Sequence, residues 1–269
     1  MKKLLNLAAA ISFALCSAHA GTVFLGIGNN EFAGDIPLAA AAIQPYAQTV
    51  TTLNNQNQGI LTAINNASNN NLGGFGSTDT FVLYYAGHGG LQADGLTEQD
   101  HIIGTSTDGG VTFPNTPVTD DQLTLAIQAL NGAHPGVGVY IVLDTCFAGA
   151  AVADGTDLKA TDTYVTGTAD ATNCAPGVSK FLPLWQAAFA KTGGFLNSDT
   201  NHDNVLTLGE LFGYTNASNI ANGGENPFSV TNGSFANTIV ATIPEPATWI
   251  ISISALGLLL VWRRRGVVS

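Results

Sequence analysis

Two apolar stretches that each lead into a reactive side chain indicate the fold. Residues 80–89 read TFVLYYAGHG, and residues 137–149 read VGVYIVLDTCFAG. Short runs of β-branched and aromatic residues that end near glycine are typical of buried strands. His88 follows the first run, and Cys146 follows the second. This is typical of α/β proteins, in which functional sites form at the carboxyl ends of parallel strands.

Further strands and helices alternate around these two runs. Apolar β-rich stretches predict strands at residues 22–27 and 163–168. Helical patterns cover residues 37–53 (divided at Pro45), 60–64, 119–132 and 181–191, and a further helix is expected from Leu208. The alternation predicts a single α/β domain whose mostly parallel sheet carries helices on both faces.

The composition excludes several other classes of protein. The chain has 269 residues, with 8 Lys plus Arg against 19 Asp plus Glu and a net charge of −11. With 45% hydrophobic and only 10% charged residues, it does not have the composition of a disordered chain. The acidic balance argues against a nucleic-acid partner, which would require clustered Lys and Arg. Three cysteines are too few for a disulfide-stapled scaffold.

The amino-terminal residues have the pattern of a secretory signal peptide. Lys2 and Lys3 precede an apolar run of about a dozen residues, and the sequence Ala18-His19-Ala20 follows it. The apolar run is too short to span a bilayer comfortably. We therefore expect residues 1–20 to be a signal peptide that is cleaved after Ala20.

The carboxyl-terminal residues 244–269 form a second targeting segment. Pro244-Glu245-Pro246 precedes an apolar stretch, residues 247–262, which ends in three arginines. This arrangement resembles the PEP-CTERM sorting signal of Gram-negative bacteria, which implies an exosortase-type protease as a partner. The alternative is an ordinary tail anchor. Under both interpretations the body, residues 21–243, is exported across the inner membrane. The tail holds it at the membrane, at least transiently, before it reaches the cell surface or the medium.

The two reactive side chains could form a catalytic pair. If the strands that precede them are neighbours, His88 and Cys146 face one cleft. A thiol beside an imidazole is the minimum for covalent catalysis, because the imidazole accepts the proton and the sulfur attacks a carbonyl carbon. Gly87 and Gly89 permit a close approach of the backbone. The amides of Gly89 and Cys146 could stabilise the oxyanion.

The segments YYAGHG (residues 84–89) and LDTCFAG (residues 143–149) resemble the His and Cys motifs of caspase-like peptidases, and are closest to the metacaspase branch. The similarity runs from about residue 21 to residue 228. It implies a cysteine endopeptidase with His88 as general base and Cys146 as nucleophile, and no cofactor in the chemistry. The spacing, with His upstream of Cys by 58 residues, fits that order.

Three other interpretations of these residues are open. The first is a buried structural pair, which includes an inactive copy of an enzyme. The second is a zinc site made by His88, His101, Cys146 and Cys174, although the spacing does not favour it. The third is a disulfide between Cys146 and Cys174, which an oxidising compartment would permit and which would silence the enzyme.

The expected specificity follows partly from the absence of arginine. Residues 21–243 hold three lysines and no arginine, so no bidentate clamp on an acidic substrate residue is available. The metacaspase resemblance instead implies acidic pocket residues and cleavage after Arg or Lys. Asp144 stands two positions before Cys146, Asp170 is a second candidate and Asp35 is a weak match. Asp144 could also be a structural acid in a turn. Lys159 is the predicted site of self-processing.

A twelve-residue stretch from Asp199 resembles an EF-hand calcium loop. Oxygen-bearing residues recur at loop positions 1, 3, 5, 9 and 12, and the residue at position 7 would contribute its carbonyl. Position 6 is Asn204 rather than Gly, although Asn tolerates a left-handed backbone. No clear entering helix precedes the loop. The expected ligands are Asp199, Asn201, Asp203, Val205, Thr207 and Glu210; the alternative is a polar turn that caps the following helix.

Together these observations predict an exported caspase-like cysteine endopeptidase that cleaves protein or peptide substrates after basic residues. The alternative is a catalytically inactive caspase-fold protein, stabilised by Ca²⁺, in the cell surface or biofilm matrix.

Overall fold

The computed structural model describes residues 21–54, 57–69, 79–93, 99–103, 107–108, 111–112, 118–152, 158, 163–169, 179–221, 228–231 and 236–243. In these residues the helices are α1 (Asp35–Ile43), α2 (Asn57–Ser68), α3 (Asp120–Ala133), α4 (Phe181–Phe189) and α5 (Leu208–Ala221), with short 3₁₀ helices at Asn30–Gly34 and Ala148–Val152. The strands are β1 (Thr22–Gly28), β2 (Thr49–Asn54), β3 (Thr80–Ala86), β4 (Gly89–Ala93), β5 (Gln99–Ile103), β6 (Thr107–Asp108), β7 (Val111–Thr112), β8 (Val118–Thr119), β9 (Gly138–Asp144), β10 (Tyr164–Gly167), β11 (Lys191–Thr192), β12 (Phe195–Leu196), β13 (Val205–Thr207), β14 (Phe228–Thr231) and β15 (Ile239–Thr242).

The largest sheet has six strands in the order β14-β10-β9-β3-β1-β2. The five strands from β10 to β2 are parallel, and β14 pairs antiparallel with β10 at the edge. The strand order reverses at β1, which lies between β2 and β3. Ligands of open parallel sheets bind beyond the carboxyl ends of the strands, near the point where the strand order reverses. A site is therefore expected beyond the carboxyl ends of the central strands. The predicted α/β fold is confirmed.

Both faces of the sheet are covered, as predicted. Alternate strand residues such as Phe24, Tyr84 and Tyr140 pack with helices α1, α4 and α5 around the fully buried Trp185. The other alternate residues, including Phe81 and Ile141, pack against α2 and α3. Strands buried on two faces consist of nearly continuous apolar residues, which explains why β3 and β9 were legible in the sequence.

One predicted helix is wrong in its second half. The chain is helical only over Asp35–Ile43, and residues Thr49–Asn54 form β2, parallel to β1. Gln44, the residue before Pro45, still has helical angles and bonds to the Ala40 carbonyl, but Pro45 has no amide hydrogen to continue the helix, so the helix ends there. The following residues include three threonines and a valine, which are β-branched and prefer extended backbone.

Helix α3 begins as the sequence indicates. The Thr119 hydroxyl accepts a hydrogen bond from the amide of Gln122, and the Gln122 side chain accepts one from the Thr119 amide, so that both parts of a capping box are present. Strand β8 leads directly into this helix and pairs with β5, which in turn pairs with β4. Because β4 begins one residue after His88, this small sheet connects the segment after His88 to helix α3.

Among the described residues, no helix is both long and apolar enough to cross a membrane. Residues 1–20 and 244–269, which hold the two predicted targeting segments, lie outside the described part of the chain.

Candidate active site

Strand register brings the two predicted catalytic residues to the same edge of the sheet. Strands β3 and β9 are parallel neighbours, and Ala86 is paired with Asp144. The Gly87 amide extends this pairing by donating to the Asp144 carbonyl at 3.2 Å. His88 and Cys146 each lie two residues beyond the Ala86–Asp144 pair. The expectation that the two strands are neighbours is confirmed, and both reactive residues follow the same end of the sheet.

The backbone of His88 is held by a buried tyrosine. The Tyr85 hydroxyl donates to the His88 carbonyl at 2.6 Å and accepts a hydrogen bond from Asn29 Nδ2 at 3.1 Å. Asn29 follows β1, and its amide donates to the Ala86 carbonyl at 3.1 Å. The loop that carries His88 is therefore attached to the neighbouring strand as well as to its own.

The His88 imidazole packs edge-on against Phe32, with ring centroids 5.7 Å apart. This contact limits the rotation of the ring while leaving it partly accessible. Gly87 is required by the same packing, because a Cβ at that position would lie 2.5 Å from the Tyr85 hydroxyl oxygen and 3.1 Å from Asn29 Cβ. The glycine before His88 thus permits the backbone to lie close to Tyr85 and Asn29, whereas the close approach to a substrate expected from the sequence stays a prediction.

Cys146 lies in a tight turn between β9 and the Ala148–Val152 helix, and it is 8% exposed. The next residue, Phe147, has a φ of 56°. This left-handed conformation is rare for a bulky side chain and is characteristic of functional turns. The turn is fixed by the Ala150 amide, which donates to the Phe147 carbonyl at 2.9 Å, and by the Gly149 amide, which donates to the Ala169 carbonyl at 3.1 Å.

The Cys146 sulfur is part of a disulfide. The chain has only two other cysteines, Cys16 and Cys174, and both lie outside the described residues. Of the interpretations considered for Cys146, the one in which it forms a disulfide agrees with the structure. The partner cysteine lies outside the described residues. A disulfide sulfur is not a thiolate, so nucleophilic attack by Cys146 requires this bond to be broken first.

Asp144 is buried beneath the edge and is held by the start of α4. It is 3% exposed, and its carboxylate accepts hydrogen bonds from the Ser179 hydroxyl and, at 3.3 Å, from the Phe181 amide. Ser179 in turn accepts a hydrogen bond from the Leu182 amide at 3.0 Å. The sequence analysis did not single out Ser179. A serine shortly before an apolar helical run is a capping signal that could have identified it.

Burial raises the pKa of Asp144 to about 6, against the opposing effect of its hydrogen bonds from Ser179 and Phe181. The charge of Asp35 adds to the rise. Burial also raises the pKa of Asp35 itself, which lies at the start of α1. Beneath them, burial and the charge of Asp144 raise the pKa of Tyr84 well above its usual range. Asp35, a weak match in the sequence, therefore lies close enough to Asp144 for its charge to raise the pKa of Asp144.

A family model for the caspase domain matches residues 22–264. The chain belongs to the caspase domain family. The match covers both motifs and the whole six-stranded sheet of this caspase domain, and it confirms the caspase-like fold and a cysteine-peptidase ancestry. A search of curated proteins finds no match.

Two further predicted site residues of the caspase domain, Asp170 and Lys159, lie outside the described residues, as does the predicted cleavage position Ala20. The residue before Lys159 is described: Leu158 is fully buried in the core, and its carbonyl accepts a hydrogen bond from the Thr163 hydroxyl at 3.1 Å. The structure assigns backbone positions to Gly89, at the start of β4, and to His101, in β5.

The predicted calcium loop of the caspase domain has the backbone of the motif at several positions. His202 and Asn204, at loop positions 4 and 6, have φ values of 60° and 68°. Val205–Thr207, at positions 7 to 9, form β13 and pair antiparallel with β15. As expected, α4 ends well before the loop, and the β11–β12 hairpin intervenes.

The carboxylates of Asp199 and Glu210 accept hydrogen bonds from other residues of the loop. Asp199 accepts amide hydrogen bonds from Asp203 at 3.3 Å and from Asn204 at 3.1 Å. Glu210 accepts from the Thr207 amide at 3.1 Å, from its hydroxyl at 2.8 Å, and from the Thr200 hydroxyl at 3.2 Å. Within the described ranges, no group of three or more His, Cys, Asp or Glu side chains is arranged to hold a metal ion. These hydrogen bonds support the conformation of the loop.

Proposed function

We propose that this caspase-domain protein is an exported cysteine endopeptidase that uses Cys146 as nucleophile and His88 as general base. The observation that carries the proposal is the pairing of Ala86 with Asp144, since it aligns the segments that follow β3 and β9. The two reactive residues are separated by 58 positions in sequence, and this register is what gives them a common edge. Its position at the carboxyl ends of parallel strands is where α/β enzymes bind substrate.

The proposed reaction begins from the reduced form of Cys146. His88 accepts the thiol proton, and the thiolate forms a bond to the carbonyl carbon of the scissile peptide. The amides of Gly89 and Cys146 stabilise the oxyanion, and each such donor contributes about 3 kcal/mol to transition-state stabilisation. Collapse breaks the C–N bond, and the leaving amine takes the proton from the His88 imidazolium. Water then hydrolyses the thioester and restores the thiol.

The proposed specificity is for a basic residue on the amino-terminal side of the cleaved bond. Burial raises the pKa of both Asp144 and Asp35, and the charge of Asp35 further raises the cost of ionising Asp144. A substrate cation would relieve that cost. Asp170 is a further candidate for the pocket. Because residues 21–243 contain no arginine, the body has no guanidinium to bind an acidic substrate residue.

The decisive experiment is hydrolysis of short fluorogenic peptides by the full-length protein after treatment with a dithiol reductant. Peptides that end in Arg or Lys are compared with matched peptides that end in Asp or Leu. We expect turnover of the basic peptides, and its loss in Cys146→Ala. Denaturation temperatures of the two proteins show whether the variant is folded. A reduced, folded wild type that cleaves none of the peptides would refute the proposal.

The alternative is a caspase-fold protein with no activity, retained as a surface or matrix component. The disulfide at Cys146 is the observation that favours it, since the oxidised sulfur cannot attack a substrate. A thiolate-directed probe distinguishes the two. An enzyme labels at Cys146 after reduction and loses rapid labelling in His88→Ala, whereas an inactive copy labels at the same slow rate in both.

We propose that Lys159 is a self-processing site that is protected until Leu158 leaves the core. A peptidase must bind the residues next to the cleaved bond in extended form, and Leu158 is fully buried, with its carbonyl bound to Thr163. In the reduced protein, Leu158→Ala should therefore speed cleavage after Lys159 by about tenfold, because less burial opposes release of the segment. Electrophoresis over time measures the rate, and Lys159→Gln should abolish it. Equal rates in wild type and Leu158→Ala would contradict this protection.

The targeting segments are part of the same proposal. Residues 1–20 would direct export and be removed after Ala20, and residues 244–269 would be recognised by an exosortase-type protease. Mass spectrometry of protein from a host that contains such a protease tests both. We expect a mature amino terminus at Gly21 and loss of the three terminal arginines.

We also propose that the Asp199–Glu210 loop binds Ca²⁺ through Asp199, Asn201, Asp203, Val205, Thr207 and Glu210. The left-handed backbone at Asn204 supports this, because that position of the loop requires a sharp turn. Carboxylate oxygens that accept an amide proton retain a further lone pair for a cation. Calcium would stabilise the loop and α5 and would take no part in the chemistry at Cys146.

A further inference from the structure

The oxidised state of Cys146 indicates how the proposed enzyme could be controlled. Its sulfur is in a disulfide, and the chain offers two partners, Cys16 and Cys174. The positions of described residues distinguish between them. This inference rests on the proposed function, because it concerns the regulation of the same nucleophile.

The segment that contains Cys174 is tied to the nucleophile loop at both of its ends. On one side, the Ala169 carbonyl accepts a hydrogen bond from the Gly149 amide, three residues after Cys146. On the other side, the Ser179 hydroxyl donates to the carboxylate of Asp144, two residues before Cys146. Cys174 is five residues from each of these attachment points, and five residues reach at most about 18 Å. These chain lengths allow Cys174 to reach Cys146.

The described residue nearest to Cys16 in sequence, Gly21, lies at the opposite end of the sheet. Cys16 precedes Gly21 by five residues, and the Gly21 amide is bound to Asp79, at the start of β3. The strands run parallel from that end, and Gly28, Ala86 and Asp144 mark the other end. Seven residues of strand separate the levels of Gly21 and Gly28, or about 23 Å. Two strand spacings across the sheet bring the distance from Gly21 to the level of Asp144 to about 25 Å, and Cys146 lies two residues further. Five extended residues and the disulfide itself together reach only about 24 Å.

We propose that Cys146 is locked by a disulfide to Cys174 and that a dithiol reductant activates the protein. In this reaction one thiolate of the dithiol attacks the disulfide and forms a mixed disulfide with one cysteine, releasing the other. Its second thiol then displaces the bound cysteine. The dithiol is oxidised to a disulfide, and Cys146 and Cys174 each gain one electron and one proton. The exported protein would therefore be latent in an oxidising compartment and active where reducing thiols are present.

The test uses protein made from the full-length sequence, both after export in a Gram-negative host and as the unprocessed chain that keeps Cys16, with free thiols alkylated by iodoacetamide at lysis. Chymotrypsin cuts after Phe147 and Tyr164, so the two cysteines fall in separate peptides. We expect mass spectrometry of the unreduced digest to show the Cys146 and Cys174 peptides linked. Alkylation of Cys146 should rise at least tenfold when a dithiol is added first. A Cys146 that is alkylated without reductant, or linked to Cys16, would overturn the proposal.

The variants Cys174→Ser and Cys16→Ser form a matched pair. In Cys174→Ser, Cys146 should be alkylated and basic peptides should be cleaved without any reductant. In Cys16→Ser, compared in the unprocessed chain, both should still require the dithiol. If Cys174→Ser does not fold, the reduced wild type supplies the same comparison. If Cys146 becomes reactive on reduction but no peptide is cleaved, the Cys146–Cys174 disulfide is supported and the proposed peptidase is refuted.

Discussion

The edge of the sheet that carries the proposed catalytic residues and the Asp199–Glu210 loop acquire their geometry in opposite ways. At the edge, His88 and Cys146 are far apart in sequence, and only the register of β3 with β9 aligns them. In the loop, every predicted ligand lies within twelve consecutive residues, and the hydrogen bonds of Asp199 and Glu210 are made inside it. The edge therefore depends on the packing of the whole domain, whereas the loop depends on local backbone conformation.

One buried aspartate from each region shows the same difference. Asp144 is bound by residues from another element, Ser179 and the amide at the start of α4. Asp199 is bound by the amides of Asp203 and Asn204, four and five residues further along the chain. A change at the edge should therefore alter chemistry and specificity, and a change in the loop should alter stability and ion binding. Each of the following predictions pairs the two regions.

The largest expected effect is that of removing the proposed general base. In the reduced protein, His88→Ala should lower kcat/KM for basic peptides by about 10²–10⁴-fold, the usual contribution of acid–base catalysis. His202→Ala is the control, because this ring stacks on Phe195 in the loop region, with centroids 4.7 Å apart. It should leave kcat/KM within about twofold, as is usual for a residue outside the catalytic machinery. Similar losses in both variants would mean that the comparison of edge and loop is wrong.

The next largest effect concerns specificity. Asp144→Asn should lower kcat/KM for Arg- and Lys-terminated peptides by about 100-fold, since about 2–5 kcal/mol is lost when one member of a buried charge pair is removed. Peptides with a neutral residue at that position should change little. Asp203→Asn in the loop removes a charge of the same kind and should leave both classes of peptide unaffected. Equal losses for basic and neutral peptides would show that Asp144 has a structural role only.

A smaller effect is expected from pH. The pKa of Asp144 is raised to about 6, so the carboxylate becomes protonated as the pH falls through that value. Below it, kcat/KM for basic peptides should fall by about tenfold per pH unit, because the free enzyme loses the negative charge that binds the substrate cation. The ratio of basic to neutral kcat/KM isolates this group from others that titrate. That ratio should be independent of pH in Asp144→Asn. If the variant keeps the same inflection in the ratio near pH 6, a group other than Asp144 causes it.

The same pKa affects stability in the opposite direction. Because the folded state holds the Asp144 proton more tightly than the unfolded state, the contribution of this group to stability falls as the pH rises from about 4 to about 6. Binding of a basic substrate residue would offset that loss. The acid is thus kept at a cost to the folded protein, which is consistent with a role in recognition.

Much of the fold was readable from local sequence. The buried strands β1, β3, β9 and β10 are short apolar runs, and α3 has its capping box, so each signal lies within the element itself. Strand β2 was missed because an Ala-rich helix precedes it directly and its own residues are half-buried rather than continuously apolar. At the site, the two motifs were sufficient to predict neighbouring strands.

The parts that could not be predicted depend on contacts between distant segments. The oxidation of Cys146 depends on chain geometry, which three cysteines in a sequence do not specify. The nearness of Asp35 to Asp144 requires the order of the strands, because α1 follows β1 and Asp144 ends β9, two strands away. The hydrogen bond of Ser179 to Asp144 likewise joins residues 35 positions apart.

The smallest expected effect belongs to the loop and tests whether its local geometry extends to ion binding. At a calcium concentration 100 times Kd, binding to the folded state should add about 2.7 kcal/mol to stability. For a domain of this size that corresponds to a rise in Tm of about 5–10 °C. Glu210→Gln keeps the size and the polar character of the side chain but removes the bidentate carboxylate, so it should lose this rise. Calorimetry of the full-length protein with calcium, magnesium or a chelator measures it.

Because Asp199 is held by amides of the loop itself, Glu210→Gln should leave peptide cleavage at the edge unchanged. A wild-type Tm that does not respond to millimolar calcium would mean that the hydrogen bonds alone explain the loop. A loss of cleavage together with calcium binding would show instead that the two regions are coupled.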